Sequence, residues 1–360
     1  MIGLLTAFFS SFIATLLIIR TQHLHGSFSS DSDLSGPQKF HNNLVPRIGG
    51  ISIAIGILTA TLFRIQSSAY IAIETTLLIC IIPTFTIGLA EDLTKTIRVK
   101  TRLFFTMISA GLASYYLNAH ITHLAIPGID FLLSFPMVSI VLTIFAITGL
   151  ANAYNIIDGF NGLASMVGII TLLSLAYVSY LNADPMLIYL SLVMASSILG
   201  FFIWNYPRGL IFLGDGGAYL IGFWIAVLSI LLVSRHSNIS PWFALLINAY
   251  PIMETLFTIY RRKIRQGNPG LPDGIHFHTL IYRRILNTGL LIKKVNGLSA
   301  NARTSPYLWV LSALAATPAI IYYDSTYLLM SFSLLFALTY LWLYRRIVCF
   351  KTPVWLHPPL

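Results

Sequence analysis

Asn152, Asn155, Asp158 and Asn161 stand three residues apart in the stretch NAYNIIDGFNGLA (152–164), between two long apolar runs. Only 9% of the chain is charged. Polar groups at the edge of a hydrocarbon layer are costly unless water, a partner or a ligand meets them. Asp158 alone would suit a helix N-cap, but four polar side chains at this pitch read better as a ligand surface. Three further polar islands share the pattern: GLAEDLTK at 88–95, FLGDGG at 212–217 and PDGIHFHTLIYRR at 272–284. Together they offer the carboxylates of Glu91, Asp92, Asp158 and Asp215 and the imidazoles of His276 and His278. Carboxylates gathered at one water–membrane boundary suit a hard divalent cation such as magnesium. That ion takes one or two of them and completes its shell with water and phosphate oxygens. Asp215 fits the role, because the flanking Gly214, Gly216 and Gly217 let backbone approach a ligand closely. The basic, His-containing stretch would neutralise a pyrophosphate. These residue types point to metal-assisted phosphoryl-type transfer on or near a lipid.

The elements that must position them are membrane spans. A mean hydropathy of +0.79 with 56% hydrophobic residues excludes an ordinary soluble domain. Apolar runs close to the ~20 residues needed to cross a bilayer recur at 2–19, 48–63, 70–90, 103–118, 132–151, 162–181, 187–204, 213–233, 241–259, 307–323 and 326–344. The expectation is an all-α polytopic bundle of about eleven transmembrane helices, with the N-terminus outside and the C-terminus cytoplasmic. With that count every Lys and Arg falls on the inner side except Arg64 and Arg235, each at a span end. The four polar islands then share the inner face. The net charge of +10 reads as topology and attraction to anionic lipid, with no nucleic-acid partner.

The first span lacks a basic segment ahead of it and a small-residue cleavage site, so it is read as a membrane span, not a cleaved signal. Cys80 falls within a span and Cys349 near the inner C-terminus, and no disulfide framework is expected. The chain reads as a single integral-membrane domain over 1–360. Its cytoplasmic loops at 20–47, 91–102, 152–161, 205–215 and 260–306 would form the active-site face. Glu74 is read as a structural or interfacial acid, and Glu254 as facing the site or pairing with Arg261 or Arg262. Outside the HFH stretch and the 37–50 segment, the histidines, His25 and His236 among them, read as loop residues.

Five segments carry a family resemblance. NAYNIIDGFNGLA resembles the NxxNxxDGxDGLA signature of the polyprenyl-phosphate N-acetylhexosamine-1-phosphate transferases. FLGDGGAYLIG is similar to their FxGDxG(S/A)xxxG segment, GLAEDLTK to GxxDD and HFH to HxH(H), while PQKFHNNLVPRIGG at 37–50 resembles RKxHxxPxPRxGG. Each motif alone is weak; five in family order are specific. The resemblance implies transfer of a sugar-1-phosphate from a UDP-N-acetylhexosamine to undecaprenyl phosphate, with release of UMP and use of magnesium (or manganese in its place). By the same resemblance Asp215 would ligate the metal, with Asp92 as a second candidate. Asp92 would act on or near the lipid phosphate, with Glu91 alongside. Asn152, Asn155, Asp158 and Asn161 would hold the donor. His276, His278 and Arg283 would contact its phosphates or sugar, and Lys39, His41 and Arg47 the acceptor phosphate. Direct attack by the lipid phosphate and a covalent enzyme intermediate both stay open.

Three positions depart from the family pattern: Glu91 and Asn161 stand where Asp is common, and Thr279 where a third His is frequent. Asn161 therefore keeps only a hydrogen-bonding role. The missing third His argues against the phospho-MurNAc-pentapeptide transferases of peptidoglycan synthesis and favours the branch that starts surface polysaccharides such as O-antigen or capsule. A transporter is the reading from a different class, but its acids would line the bilayer midplane. Here they cluster at span ends.

Overall fold

The computed structural model describes residues 1–30, 45–64, 70–264, 275–286, 299–351 and 353. Helices follow in the order α1 (Ile2–Arg20), α2 (Gln22–Ser29), α3 (Gly49–Leu62), α4 (Ile71–Thr94), α5 (Val99–Leu117), α6 (Ile129–Leu133), α7 (Pro136–Ile157) and α8 (Leu163–Leu181). Then come α9 (Pro185–Asn205), α10 (Gly214–Arg235), α11 (Pro241–Ile247), α12 (Ala249–Ile264), α13 (Phe277–Ile281) with a π-helical turn Tyr282–Leu286, α14 (Ala300–Ile321) and α15 (Thr326–Val348). The one β-type contact among the described residues is an isolated bridge between Ser30 and Pro46. Eight helices, namely α1, α4, α7 to α10, α14 and α15, are long and apolar enough to cross a membrane; α11 and α12 add a ninth if the bent pair is one span. Helix α3 is apolar but shorter, and α5 begins with Lys100 and Arg102. Each expected span thus falls on a helix or helix pair, and the chain is a multi-pass membrane protein.

Burial follows lipid logic. Along α1 the large apolar Leu5, Phe9, Ile13 and Leu17 face outward at four-residue spacing, while Gly3, Ala7, Ser11, Ala14 and Thr15 face the bundle. Lipid gives no hydrophobic drive to bury large side chains, so small ones line the contacts and let backbones approach. Helix α10 is buried along its whole apolar window and touches α3, α4, α7, α8 and α9. Its start is packed so closely that a Cβ on Gly50 of α3 would lie 2.4 Å from the Gly217 nitrogen.

Two expectations about local structure need correction. The polar islands sit on helix ends rather than in loops: α4 continues through Glu91 and Asp92, and α7 through Asn152 and Asn155. Hydropathy marks the thickness of the apolar slab, whereas a helix continues until its terminal groups find other partners. His25 likewise lies on α2, with its ring nitrogens on Ser29 Oγ and the Ile18 carbonyl.

The 76° bend between α11 and α12 has a cause in Pro251. Proline offers no N–H to the carbonyl four residues earlier, and that carbonyl, Ile247 O, accepts the Thr171 hydroxyl at 3.2 Å instead. At the end of the bundle away from the islands, Arg64 pairs with Glu74 at 2.8 Å and Arg235 with Asp184 at 2.7 Å. His236, expected as a plain loop residue, also meets Asp184 at 3.1 Å. The two basic residues that break the charge asymmetry are thus each neutralised by a buried acid.

Candidate active site

The site grows from the first turn of α10. A helix N-terminus leaves backbone N–H groups without intrahelical partners and carries a partial positive charge. In α10 these groups are buried, and carboxylates from other helices meet them. Asp92 of α4, 1% exposed, accepts from Asp215 N–H at 2.8 Å through Oδ1 and from Gly216 N–H at 2.9 Å through Oδ2. Asp158, just past the end of α7, accepts the Gly214 N–H. Gly214 sits at φ 76°, a region closed to most side chains, and a Cβ there would collide with Arg47 O and the Asp92 carboxylate.

Asp215 projects from this turn between two guanidinium groups. Arg47 Nη2 lies 3.4 Å from its Oδ1 and 3.6 Å from Asp92 Oδ1, and Arg102 of α5 pairs with its Oδ2. Arg47 is held by backbone. Its N–H donates to Ser29 O (2.9 Å), the preceding Pro46 O accepts Phe212 N–H (2.8 Å), and Gly49 and Gly50 donate to Phe212 and Leu213. The charge of Arg47 also reaches Asp158. Burial pushes the Asp158 carboxyl up to about 7, against the opposing pull of Arg47 and of the Gly214 N–H.

Along α7 the pitch of three places Asn152 and Asn155 on the face that leads to Asp158. Asn152 Oδ1 accepts the Tyr219 hydroxyl at 3.1 Å, one turn along α10 from Asp215. Asn161 turns away from this group, contrary to the expectation of a donor contact. Its side-chain amide donates to Pro207 O (3.2 Å), its N–H to Asn301 Oδ1 (3.0 Å), and its carbonyl accepts Ser305 Oγ (2.6 Å). The two backbone bonds tie the α7–α8 turn to α14, and the side-chain bond ties it to the segment between α9 and α10. Glu91, expected beside Asp92 in the chemistry, has Oε2 on the Ile97 N–H at 2.6 Å, where it closes the turn into α5.

His278 joins the last island to the others. It packs edge-on to Phe160, with centroids 5.4 Å apart, and a Cβ on Gly159 would stand 3.0 Å from its Nε2. His276 stacks on His278 at 5.1 Å. Its Nδ1 lies 2.9 Å from Glu254 Oε1, which joins Glu254 to the His segment. Arg283 is exposed on the π-helical turn. Lys39 and His41 lie outside the described residues. Reading the sequence missed Arg102, which looked like one of four topology-setting cations at 95–102, and Tyr219, an aromatic among apolar neighbours. In neither case did the sequence signal a partner.

Among the described residues no group of three or more His, Cys, Asp or Glu is arranged to hold a metal ion by itself. The donor set would suit a hard cation that shares its shell with phosphates: Asp215, whose oxygens face Arg47 and Arg102, and Asp158 would supply oxygens, while both oxygens of Asp92 accept from N–H groups of α10.

Fold and site define a multi-pass helical membrane protein with a cluster of acids and arginines at the buried start of its central helix. Residues 74–233, which include Asp92, Asp158 and Asp215, match the model described as Glycosyl transferase family 4. Over 319 residues the chain is 27% identical to the "Probable undecaprenyl-phosphate N-acetylglucosaminyl 1-phosphate transferase" of Bacillus subtilis (strain 168), covering 86% of this chain and 87% of that one. It is also similar to the "Undecaprenyl-phosphate alpha-N-acetylglucosaminyl 1-phosphate transferase" of Escherichia coli (strain K12), 31% identical over 257 residues, with 68% and 67% covered. The protein of that name from Yersinia pestis is 30% identical over 257 residues, with 68% of each chain covered. The chain belongs to glycosyl transferase family 4.

Proposed function

We propose that the protein transfers N-acetylhexosamine-1-phosphate from a UDP-sugar to undecaprenyl phosphate, releasing UMP, as the first step in building a surface polysaccharide. The observation that carries this reading is the meeting of Asp92, Asp158 and Asp215 with Arg47 and Arg102 at one helix N-terminus, in a chain of this family. In the reaction an oxygen of the lipid phosphate attacks the β-phosphorus of the donor. The bond from that phosphorus to the bridging oxygen breaks, and the oxygen leaves with UMP. Arg47 and Arg102 would draw the phosphates in and offset charge as it moves to the leaving group. Asp158, Asn155 and Asn152 would orient the donor, with His276, His278 and Arg283 at its other side. Asp92 would fix the first turn of α10 and so aim Asp215. Magnesium, held by Asp215 together with phosphate oxygens, would supply neutralisation of the diphosphate.

All eleven helical segments would span, with the N-terminus outside and the cluster facing the cytoplasm of the inner membrane, where nucleotide sugars are made. The whole chain would act as one integral transferase domain. Incubating membranes with a panel of UDP-N-acetylhexosamines and identifying the lipid by mass spectrometry tests the reading and names the sugar. UDP-N-acetylglucosamine is the expected donor. Movement of a solute across sealed vesicles without any lipid-linked product would replace this reading with a transporter.

A further inference from the structure

Glu254 is a buried carboxylate outside the acid cluster and outside the reaction as written above. It lies on α12, 0% exposed, in a segment whose other face bears the exposed Leu256, Ile259 and Tyr260. An unpaired acid so placed would be strongly destabilising, yet each oxygen has donors. Oε1 accepts from His276 Nδ1 at 2.9 Å and from Phe277 N–H at 3.2 Å; Oε2 accepts the Tyr340 hydroxyl at 2.9 Å. The same segment is clasped at its start, where Ile275 O accepts Arg261 Nη1 (2.9 Å) and the Tyr344 hydroxyl (3.0 Å). Arg261 also donates to Tyr344 at 2.7 Å.

From this geometry we infer that Glu254 is a positioning residue: it holds His276 with its proton on Nδ1 and its Nε2 presented to the diphosphate of the donor. The inference rests on the donor-binding role given to the HFH segment above. A carboxylate only accepts, so Nδ1 must carry the hydrogen, and which ring nitrogen is protonated is set by the bond the other makes. Thr258 Oγ1, at 3.3 Å from Nδ1, is the one other polar contact described for the ring. With Nδ1 bonded to Glu254, Nε2 is the ring nitrogen left for the donor, and in the doubly protonated ring it donates to a phosphate oxygen. The ring lies against His278, stacked within 12°, so fixing one imidazole fixes the face offered by both. Its titratable and charged surroundings are Glu254 and Arg261 of α12, His278 of its own segment, Tyr250, and Tyr340 and Tyr344 of α15.

The test compares Glu254→Gln and Glu254→Asp in the full-length protein in detergent. With Glu254→Gln, kcat for UMP release should fall roughly 10- to 100-fold, by analogy with the loss of a carboxylate that orients a metal-ligating histidine. KM for the UDP-sugar should change less than kcat, and Glu254→Asp should restore most of the rate. In parallel, ring 15N shifts, assigned by the loss of one signal in His276→Gln, should report Nδ1–H in the parent. In Glu254→Gln the tautomer should no longer be fixed, because an amide can either donate to or accept from Nδ1, and the ring shifts should move towards a mixture of Nδ1–H and Nε2–H. Tyr340→Phe, which frees only Oε2, should lower kcat in the same direction by less, and it serves if Glu254→Gln does not fold. Unchanged turnover in Glu254→Gln, or unchanged ring 15N shifts, overturns the inference. If the parent releases no UMP with any UDP-N-acetylhexosamine, the transferase reading fails instead, and the ring spectra still decide whether Glu254 sets the state of His276.

Discussion

Asp158 is the residue where burial and charge compete most visibly. Its ordinary carboxyl value is 3.8 and in the fold it rises to about 7. Between those values the folded state keeps a proton that the unfolded chain has released, so the stability this group contributes falls as pH rises through the window. Asp158→Asn copies the neutral carboxyl without titrating. Its Tm in detergent should therefore gain on the parent as pH rises from 3.8 to about 7 and hold that gain above. A Tm difference that stays flat over this range would contradict the burial argument. The acids of the cluster were legible in the sequence because a carboxylate in a chain so poor in charge is conspicuous. Their division of labour was not, since Asp92 and Asp215 differ only in which N–H groups and guanidinium groups the fold brings to them. Glu254 was ambiguous for the same reason: its partner His276 lies 22 residues away, beyond any helical spacing.

At the level of elements, the acid and arginine cluster depends on how closely α3, α4 and α10 approach. A methyl on Gly50 would meet the Gly217 backbone at 2.4 and 2.6 Å, whereas one on Gly149 of α7 has nothing within 4 Å. Gly50→Ala should destabilise by about 1–3 kcal/mol, the usual cost of overpacking, and should weaken activity by spreading the acids from Arg47. Gly149→Ala should leave the unfolding midpoint and turnover near the parent's. Equal midpoints and turnover for the two variants would show that close packing at α10 does not set the site. Span positions were readable from hydropathy, because lipid thickness fixes the length of an apolar run. The ends were not: α4 and α7 carry their polar residues as helix, and the bend after α11 becomes explicable only when Thr171 is seen to take the carbonyl that Pro251 leaves free. The contact of the Asn161 side chain with the Pro207 carbonyl, between α9 and α10, has no trace in local spacing.

At the scale of the whole molecule, the bundle has two chemically unlike ends. One carries Arg47, Arg102 and three acids; the other has Arg64 and Arg235 neutralised by Glu74 and Asp184. Cys349 is exposed just after α15, and Cys80 is buried, so the native thiols report orientation. A membrane-impermeant maleimide should label Cys349 in inverted vesicles and not in right-side-out ones; the reverse pattern would turn the proposed topology over. The account as a whole meets its most direct test in one assay. Purified protein is given magnesium, undecaprenyl phosphate and a UDP-N-acetylhexosamine carrying label in the sugar phosphate. The account predicts label in the lipid with an equal amount of UMP released, both lost in Asp215→Asn. No lipid-linked label from any such donor, or full transfer by Asp215→Asn, would contradict it.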